Sequence, residues 1–190
     1  EREEIMDKLV AKLKKEQYKI PFITGIIVGL LTHMIMIVNK YPNSDSMTNF
    51  YFDQNMVTSG RWFLMVACGL SSFYDLNFVN GILAILFLAI SAVFVTRFFD
   101  VEKVGSLIMI PTIMLTFPAV AATMSYMYTV DGYMIGLLLA ILAAYLAKKY
   151  KFGFLIGGIL LAFSMGIYQA YIAFTILLVM WDLTLGTSES

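Results

Sequence analysis

Long apolar runs separated by short polar turns dominate the chain. Several runs approach the roughly 20 apolar residues that a helix needs to cross a bilayer. The pattern predicts four membrane-spanning helices, at residues 20–39, 78–96, 104–126 and 132–147. The third contains Pro111 and Pro118, which a membrane helix tolerates at the cost of a kink.

Three other segments are less regular. Residues 1–19 predict an amphipathic helix on the membrane surface, with Ile5, Leu9 and Leu13 spaced four residues apart. Residues 61–75 are apolar but too short to cross, which favours an interfacial or re-entrant helix. Residues 152–181 are long for one span and short for two, so one tilted helix and two half-length helices meeting near Gly166 both remain open.

The expected fold is therefore an all-α polytopic membrane protein with about five transmembrane helices. We divide it into a cytoplasmic amphipathic helix (1–19), a transmembrane module (20–183) and a polar tail (184–190). Gly25/Gly29 and Gly153/Gly157 have the small-xxx-small spacing of close helix pairs, a pattern that is also common by chance. We expect the chain to be part of a longer protein, because it starts at Glu1 and ends in polar residues.

Composition excludes a soluble domain. Hydrophobic residues make up 60% of the chain and charged residues 14%, with a mean hydropathy of +0.81. Soluble proteins average about 45–50% apolar and about 25% charged residues. The single cysteine, Cys68, excludes an intrachain disulfide.

The distribution of Lys and Arg predicts the orientation. If the chain crosses at every predicted span, eleven of its thirteen basic residues lie on one side, and only Lys40 and Arg61 on the other. Because basic residues favour the cytoplasmic side, we expect a cytoplasmic amino terminus. The loop "NKYPNSDSMTNFYFDQNMVTSGRWF" (39–63) then faces outward.

Acidic and aromatic residues collect on the predicted outer face. They are Asp45, Asp53, Asp75 and Asp131, with Tyr126 and Tyr128 ahead of the last. Gln169 joins them, because it lies about 26 Å along a helix that starts at Phe152. Polar groups from three parts of the chain are thus expected to meet on one surface.

An outward-facing carboxylate near a cation is suited to glycosyl transfer with a phosphate leaving group. The carboxylate acts as general base for a hydroxyl that attacks a sugar carbon, and an arginine holds a phosphate leaving group. Each acid also has a structural alternative, since Asp45, Asp53 and Asp131 fit turn or helix-capping positions. Arg61 is equally consistent with a lipid-headgroup anchor. His33 is either functional or bonded to a neighbouring helix.

The sequence lacks several familiar catalytic signatures. It has no phosphate-binding glycine loop, HExxH, CxxC or GxSxG motif, and its single histidine and single cysteine do not favour a His/Cys metal site. A requirement for a divalent metal stays open. No nucleic-acid partner is expected, and the oligomeric state is not indicated.

Three stretches resemble the bacterial type II membrane glucosyltransferases, which belong to the GT-C superfamily. They are "PNSDS…YFDQNMVTSGRWF", "FPAVAATMSYMYTVDGYM" and "GGILLAFSMGIYQAYIAF". The resemblance covers about residues 20–183 and implies a GT-C-like fold in the bacterial plasma membrane. It also implies an inverting transfer of glucose, on the outer face, from a polyprenyl-phosphate donor to a cell-envelope glycan.

The resemblance also implies residue roles. Asp45 matches the essential acid of the first outer loop, with Asp53 as the second catalytic candidate. Arg61 matches the arginine of the "SGRW" stretch and is expected to contact the donor phosphate. Substrate contacts are also expected from Tyr126, Asp131, Tyr168 and Gln169.

Two alternatives use related substrates. One is a transporter or flippase component for lipid-linked sugars, which should carry polar groups near the bilayer midplane. The other is a polymerase or ligase for surface polysaccharide. The acceptor and the exact sugar stay undetermined by sequence.

Overall fold

The computed structural model describes residues 2–39, 41, 57–69 and 76–186. Within these ranges every regular element is helical, which confirms the predicted all-α class. The helices are α1 (Arg2–Val38), α2 (Leu64–Cys68), α3 (Asn77–Phe98), α4 (Val104–Thr116), α5 (Pro118–Met124), α6 (Val130–Lys149), α7 (Gly153–Ile167) and α8 (Ile172–Gly186). A short 3₁₀ turn, Gln169–Tyr171, joins the last two.

Three helices among the described residues are long and apolar enough to cross a membrane. They are the Lys15–Val38 part of α1, then α3, then α6. The pair α4 and α5 forms a fourth if it is counted as one span bent by 48°. The polytopic prediction is thereby confirmed.

The bend between α4 and α5 follows from Pro118. A residue that precedes proline is pushed out of the helical region, and Phe117 is extended, with φ −63° and ψ 135°. The break falls where the sequence predicted a kink. His33 bonds to the last turn of α4 here, since its Nε2 lies 2.8 Å from the Leu115 carbonyl oxygen. This contact favours the structural interpretation of His33.

Helix α1 joins two segments that the sequence treated separately. It runs without interruption from Arg2 to Val38, so residues 2–19 continue directly into the first predicted span. The predicted location of residues 1–19 on a membrane surface stays a prediction.

The helices pack as a layered bundle with α3 and α6 at its centre. Helix α1 packs against α3 and α4, whereas α6 packs against α3, α7 and α8. The glycine spacings mark close helix contacts. A Cβ on Gly25 would lie 2.9 Å from the Ala89 Cβ, and one on Gly157 would lie 2.7 Å from the Ala143 carbonyl oxygen.

The final apolar run forms a hairpin of two short helices rather than one long span. Helix α7 runs antiparallel to α6. Gly157 lies against Ala143, and further along α7 the Ser164 hydroxyl donates to the Gly136 carbonyl at 2.7 Å. Helix α8 runs parallel to α6. The Thr175 hydroxyl donates to the Ala140 carbonyl at 2.9 Å, and further along α8 Asp182 forms a 3.3 Å ion pair with Lys148.

The bundle has two chemically different ends. At the Lys148 end, Lys148 donates to the Phe98 carbonyl at 2.6 Å and Arg97 donates to the Gln17 amide oxygen. We call the opposite end, where residues 57–69 pack on α6 and α7, the Arg61 end. Apart from Arg61, all Lys and Arg residues within the described ranges lie toward the Lys148 end.

Candidate functional site

A tight turn places Arg61 at its end of the bundle. The Gly60 N–H donates to the Val57 carbonyl at 3.0 Å, and Gly60 has a φ of +80°. This left-handed conformation suits glycine, because a Cβ is strained there. A Cβ on Gly60 would also lie 2.5 Å from the Gln169 side-chain nitrogen. The turn therefore lies directly against the tip of the α7–α8 hairpin.

Aromatic packing and one backbone bond fix the segment after Arg61 to α7. The Phe63 N–H donates to the Gly166 carbonyl at 2.8 Å. The Phe163 ring lies 4.5 Å from the Phe63 ring and 5.9 Å from the Trp62 ring, centre to centre. A Cβ on Gly166 would lie only 2.6 Å from the Trp62 ring. The absence of a side chain at Gly166 thus lets Trp62 lie on the helix.

Helix α2 then anchors the segment to the start of α6. Leu64 and Cys68 are fully buried, and together with Ala67 and Ile167 they form a small apolar cluster. A Cβ on Gly132 would lie 2.6 Å from the Cys68 sulfur. The predicted interfacial helix over residues 61–75 is therefore a turn followed by five helical residues, with 70–75 outside the described residues.

The guanidinium of Arg61 lies among tyrosines. Its Nη1 donates to the Tyr133 hydroxyl at 3.0 Å. Its central carbon lies 6.0 Å from the centre of the Tyr133 ring and 5.6 Å from that of Tyr168. Each such cation–π contact contributes about 0.5–1 kcal/mol at an exposed site and about 2 kcal/mol when desolvated. Arg61 is half-buried and positioned by side chains from α6 and from the hairpin tip.

The hairpin tip completes this cluster. Tyr168 is extended, with φ −153° and ψ 112°, which ends α7 and exposes both Tyr168 and Gln169. The Tyr168 ring lies 5.6 Å from that of Tyr133 and 5.2 Å from that of Tyr171. We call Arg61, Tyr133, Tyr168 and Gln169 the Arg61 cluster.

Asp131 lies apart from the exposed part of this cluster. It is fully buried in the first turn of α6, which Thr129 precedes as the capping residue. Asp131 is therefore not the helix cap that its sequence position allowed, although a carboxylate near a helix amino terminus is favourable. Burial raises the pKa of the Cys68 thiol, and the nearby Asp131 charge raises it further.

The structure thus brings together part of the predicted site. Arg61, Tyr168 and Gln169 are neighbours. Tyr126 is exposed at the same end, where its ring lies 6.4 Å from that of Tyr128. The two predicted catalytic acids, Asp45 and Asp53, lie outside the described residues, and so does Asp75.

Sequence reasoning missed Tyr133, which bonds to Arg61 across 72 positions of the chain. No local pattern marks that pairing. It also missed the Gly60 and Gly166 contacts, because each depends on which helix lies opposite. Within the described ranges, no group of three His, Cys, Asp or Glu side chains is arranged to hold a metal ion.

Arg61 is a half-buried cation among aromatic rings, which suits it to binding an anion. Comparison with protein families indicates which reaction such an anion could belong to. The model of the family described as Glucosyl transferase GtrII matches residues 34–184. The chain belongs to this family. No match was found among curated proteins. None was found among solved structures either.

Membership of the GtrII family indicates a glucosyltransferase and confirms the resemblance seen in the sequence. The matched region contains the whole Arg61 cluster, helices α2 to α7 and most of α8. The Arg61 cluster therefore lies within the region that the family model matches.

Proposed function

We propose that this protein transfers glucose from a polyprenyl-phosphate donor to a cell-surface glycan at the outer face of the bacterial plasma membrane. One observation carries the proposal, namely that Arg61 is held by Tyr133 and Tyr168 at the end of the bundle with the fewest basic residues. Membership of the GtrII family indicates that the activity is glucosyl transfer.

Arg61 is suited to hold the phosphate of the donor. A guanidinium offers five N–H donors in a planar fork that matches two phosphate oxygens. Within the described part of the chain, the Tyr133 hydroxyl engages Nη1, and the Tyr168 ring restricts the plane from the hairpin side. Fixed in this way, the arginine loses little conformational entropy when phosphate binds. The exposed Gln169 amide, next to Gly60, is positioned to contact the sugar or phosphate.

The chemical step needs a base besides this clamp, and we assign that role to Asp45. Its carboxylate takes the proton of the acceptor hydroxyl, whose oxygen forms a bond to the anomeric carbon of glucose. The bond from that carbon to the phosphate oxygen breaks, and the electron pair leaves with polyprenyl phosphate. Attack opposite to the leaving group inverts the anomeric centre. Asp53 is the second candidate for the base.

The orientation follows from the positive-inside rule. The Lys148 end carries the basic residues and is assigned to the cytoplasm, which places the Arg61 end outside. A lipid-linked donor suits that face, since no nucleotide sugar is available there.

The buried hydroxyls favour this enzyme over a transporter for lipid-linked sugars. A transporter binds its substrate near the bilayer midplane with polar groups of its helices. Here the buried Ser91, Ser164 and Thr175 hydroxyls each donate their proton to a helix carbonyl, so their donor capacity is already used within the protein.

Substitution of Arg61 tests the phosphate clamp. Arg61→Ala should raise the KM for polyprenyl-phosphate glucose, and Arg61→Lys should keep part of the activity but lose the two-pronged contact. Lys149→Ala, at the opposite end, is the matched control and should leave KM unchanged. Sugar transfer is measured in membranes at matched expression. An Arg61→Ala enzyme with unchanged donor KM would make Arg61 a headgroup anchor instead.

Substitution of Asp45 tests the base. Asp45→Asn keeps shape but removes the base, and a positioned base contributes about 10² to 10⁴ in rate. The variant should insert normally, retain donor KM and transfer almost no glucose, whereas Asp53→Asn should be milder. If Asp45→Asn keeps more than roughly a tenth of the activity, Asp45 is not the base and Asp53 is tested next.

A further inference from the structure

We propose that the Lys148 end carries a binding site for one anionic phospholipid, in a groove between α1 and α4. The groove has a volume of about 650 Å³ and begins where α1 enters the apolar part of the bundle. It lies at the end opposite to the Arg61 cluster and does not depend on the proposed reaction.

The upper part of the groove has the chemistry of a headgroup site. Lys15 and Lys19 are one helical turn apart on α1, and both line the groove and are exposed. Two ammonium groups at this spacing complement one phosphate. Glu16 lines the same groove, where its carboxylate can accept hydrogen bonds from the hydroxyls of a glycerol headgroup.

The lower part of the groove is apolar. Ile20 and Ile23 from α1 face Val104 and Ile108 from α4. Val104 and Ile108 are 53% and 45% exposed, so the described protein leaves this wall uncovered. From Lys15 to Thr24 the helix rises roughly 14 Å, which spans a headgroup and the first part of an acyl chain. A free phosphate would contact only the lysines.

The position agrees with membrane electrostatics. The candidate membrane-spanning part of α1 begins at Lys15, so we expect Lys15 and Lys19 to lie near the level of lipid headgroups. Basic pockets between transmembrane helices on the cytoplasmic side are suited to anionic headgroups, and each Lys near an anionic surface strengthens binding about fivefold.

A second groove on the other side of α1 offers an internal comparison. It shares Lys15 and Lys19 but measures about 440 Å³ and is otherwise lined by Tyr18 and by apolar residues that include Ile90. The Tyr18 ring already contacts Arg97, whose guanidinium carbon lies 5.0 Å from the ring centre. The first groove alone adds the Glu16 carboxylate beside the two lysines, so it is the better match for a glycerol headgroup.

Native mass spectrometry of the purified full-length protein tests the site with added phosphatidylglycerol. The wild type should retain one molecule of phosphatidylglycerol. It should not retain phosphatidylcholine that is added at the same concentration. Lys15→Gln/Lys19→Gln should weaken retention roughly 25-fold, at about fivefold for each lysine. Lys149→Gln/Lys151→Gln, which removes two charges at the same end, should retain the lipid. Equal losses in the two double variants would mean general surface attraction and overturn the proposal.

Two groove-filling variants locate the lipid without changing charge. Ile108→Trp should displace phosphatidylglycerol from the first groove, whereas Ile90→Trp, in the second groove, should not. Displacement by Ile90→Trp alone would overturn the assignment. Glycerol phosphate at millimolar concentration should not compete, because it lacks the acyl chain, and competition would show a soluble-phosphate site instead. Normal folding of each variant is checked by gel filtration in neutral detergent.

Discussion

Arg61 and Tyr133 are joined by a hydrogen bond of 3.0 Å, although 72 positions separate them in the chain. Tyr133 belongs to α6, and Arg61 belongs to a turn fixed to α7 through Phe63 and Gly166. The position of the guanidinium therefore depends on how two helices pack together. Changes to that packing should affect donor binding before they affect chemistry.

Removing the Tyr133 hydroxyl should impair donor binding selectively. A hydrogen bond to a charged group contributes about 1.5–3 kcal/mol, so Tyr133→Phe should raise donor KM by at least about tenfold with little change in kcat. Tyr168→Phe keeps the ring over Arg61 and should have a smaller effect than Tyr168→Leu. Steady-state transfer assays give both constants. Tyr150→Phe, exposed at the Lys148 end, is the control, and a Tyr133→Phe effect confined to kcat would contradict this role.

Two glycines of α7 should respond in opposite ways to alanine. A Cβ on Gly166 would meet the Trp62 ring at 2.6 Å, whereas one on Gly158 would meet nothing within 4 Å. Overpacking costs about 1–3 kcal/mol, so Gly166→Ala should lower Tm and raise donor KM by displacing the turn. Gly158→Ala should raise Tm slightly, since alanine in a helix gains roughly 0.5–1 kcal/mol over glycine. Equal Tm values for the two variants would show that Trp62 does not lie on Gly166.

The α7–α8 hairpin predicts which positions share a side of the membrane. In a Cys68-free background, Lys149→Cys and Thr184→Cys should both be protected from an impermeant thiol reagent in intact cells. Val57→Cys should be labelled, because it is exposed at the Arg61 end. All three should react after the membrane is permeabilised. Labelling of Thr184→Cys but not Lys149→Cys from outside would mean that residues 152–181 form one spanning helix.

Cys68 should be inert while the protein is folded. Burial and the Asp131 charge both raise the pKa of this thiol above its ordinary value, and the thiolate is the reactive form. Because a raised pKa moves ionisation to higher pH, N-ethylmaleimide at pH 7–8 should modify Cys68 at least about tenfold more slowly than an exposed cysteine such as Lys149→Cys. Unfolding in detergent should remove the difference. Equal rates in the folded protein would contradict the burial of Cys68.

The sequence by itself determined the helical class, the apolar spans before residue 152 and the segregation of basic residues to one end. These features depend on transfer of each residue between water and lipid, which is nearly a local sum along the chain. The kink before Pro118 was predictable for the same reason, because proline restricts its own neighbour. The bounds of 78–96 and 132–147 were close to those of α3 and α6, although both helices extend further.

Tertiary structure decided the rest. Hydropathy does not distinguish one tilted helix from a hairpin over residues 152–181, because both bury similar surface, and the direction of α8 depends on contacts such as Lys148 with Asp182. The sequence placed Asp131 with the acids of the outer face, yet Asp131 is fully buried and its neighbour Gly132 lies against Cys68 and Leu64 of α2. Arg61 was predicted from its motif, but its partner Tyr133 was not. Contacts between distant residues depend on which helix faces lie together, and that information is not contained in any local stretch of the chain.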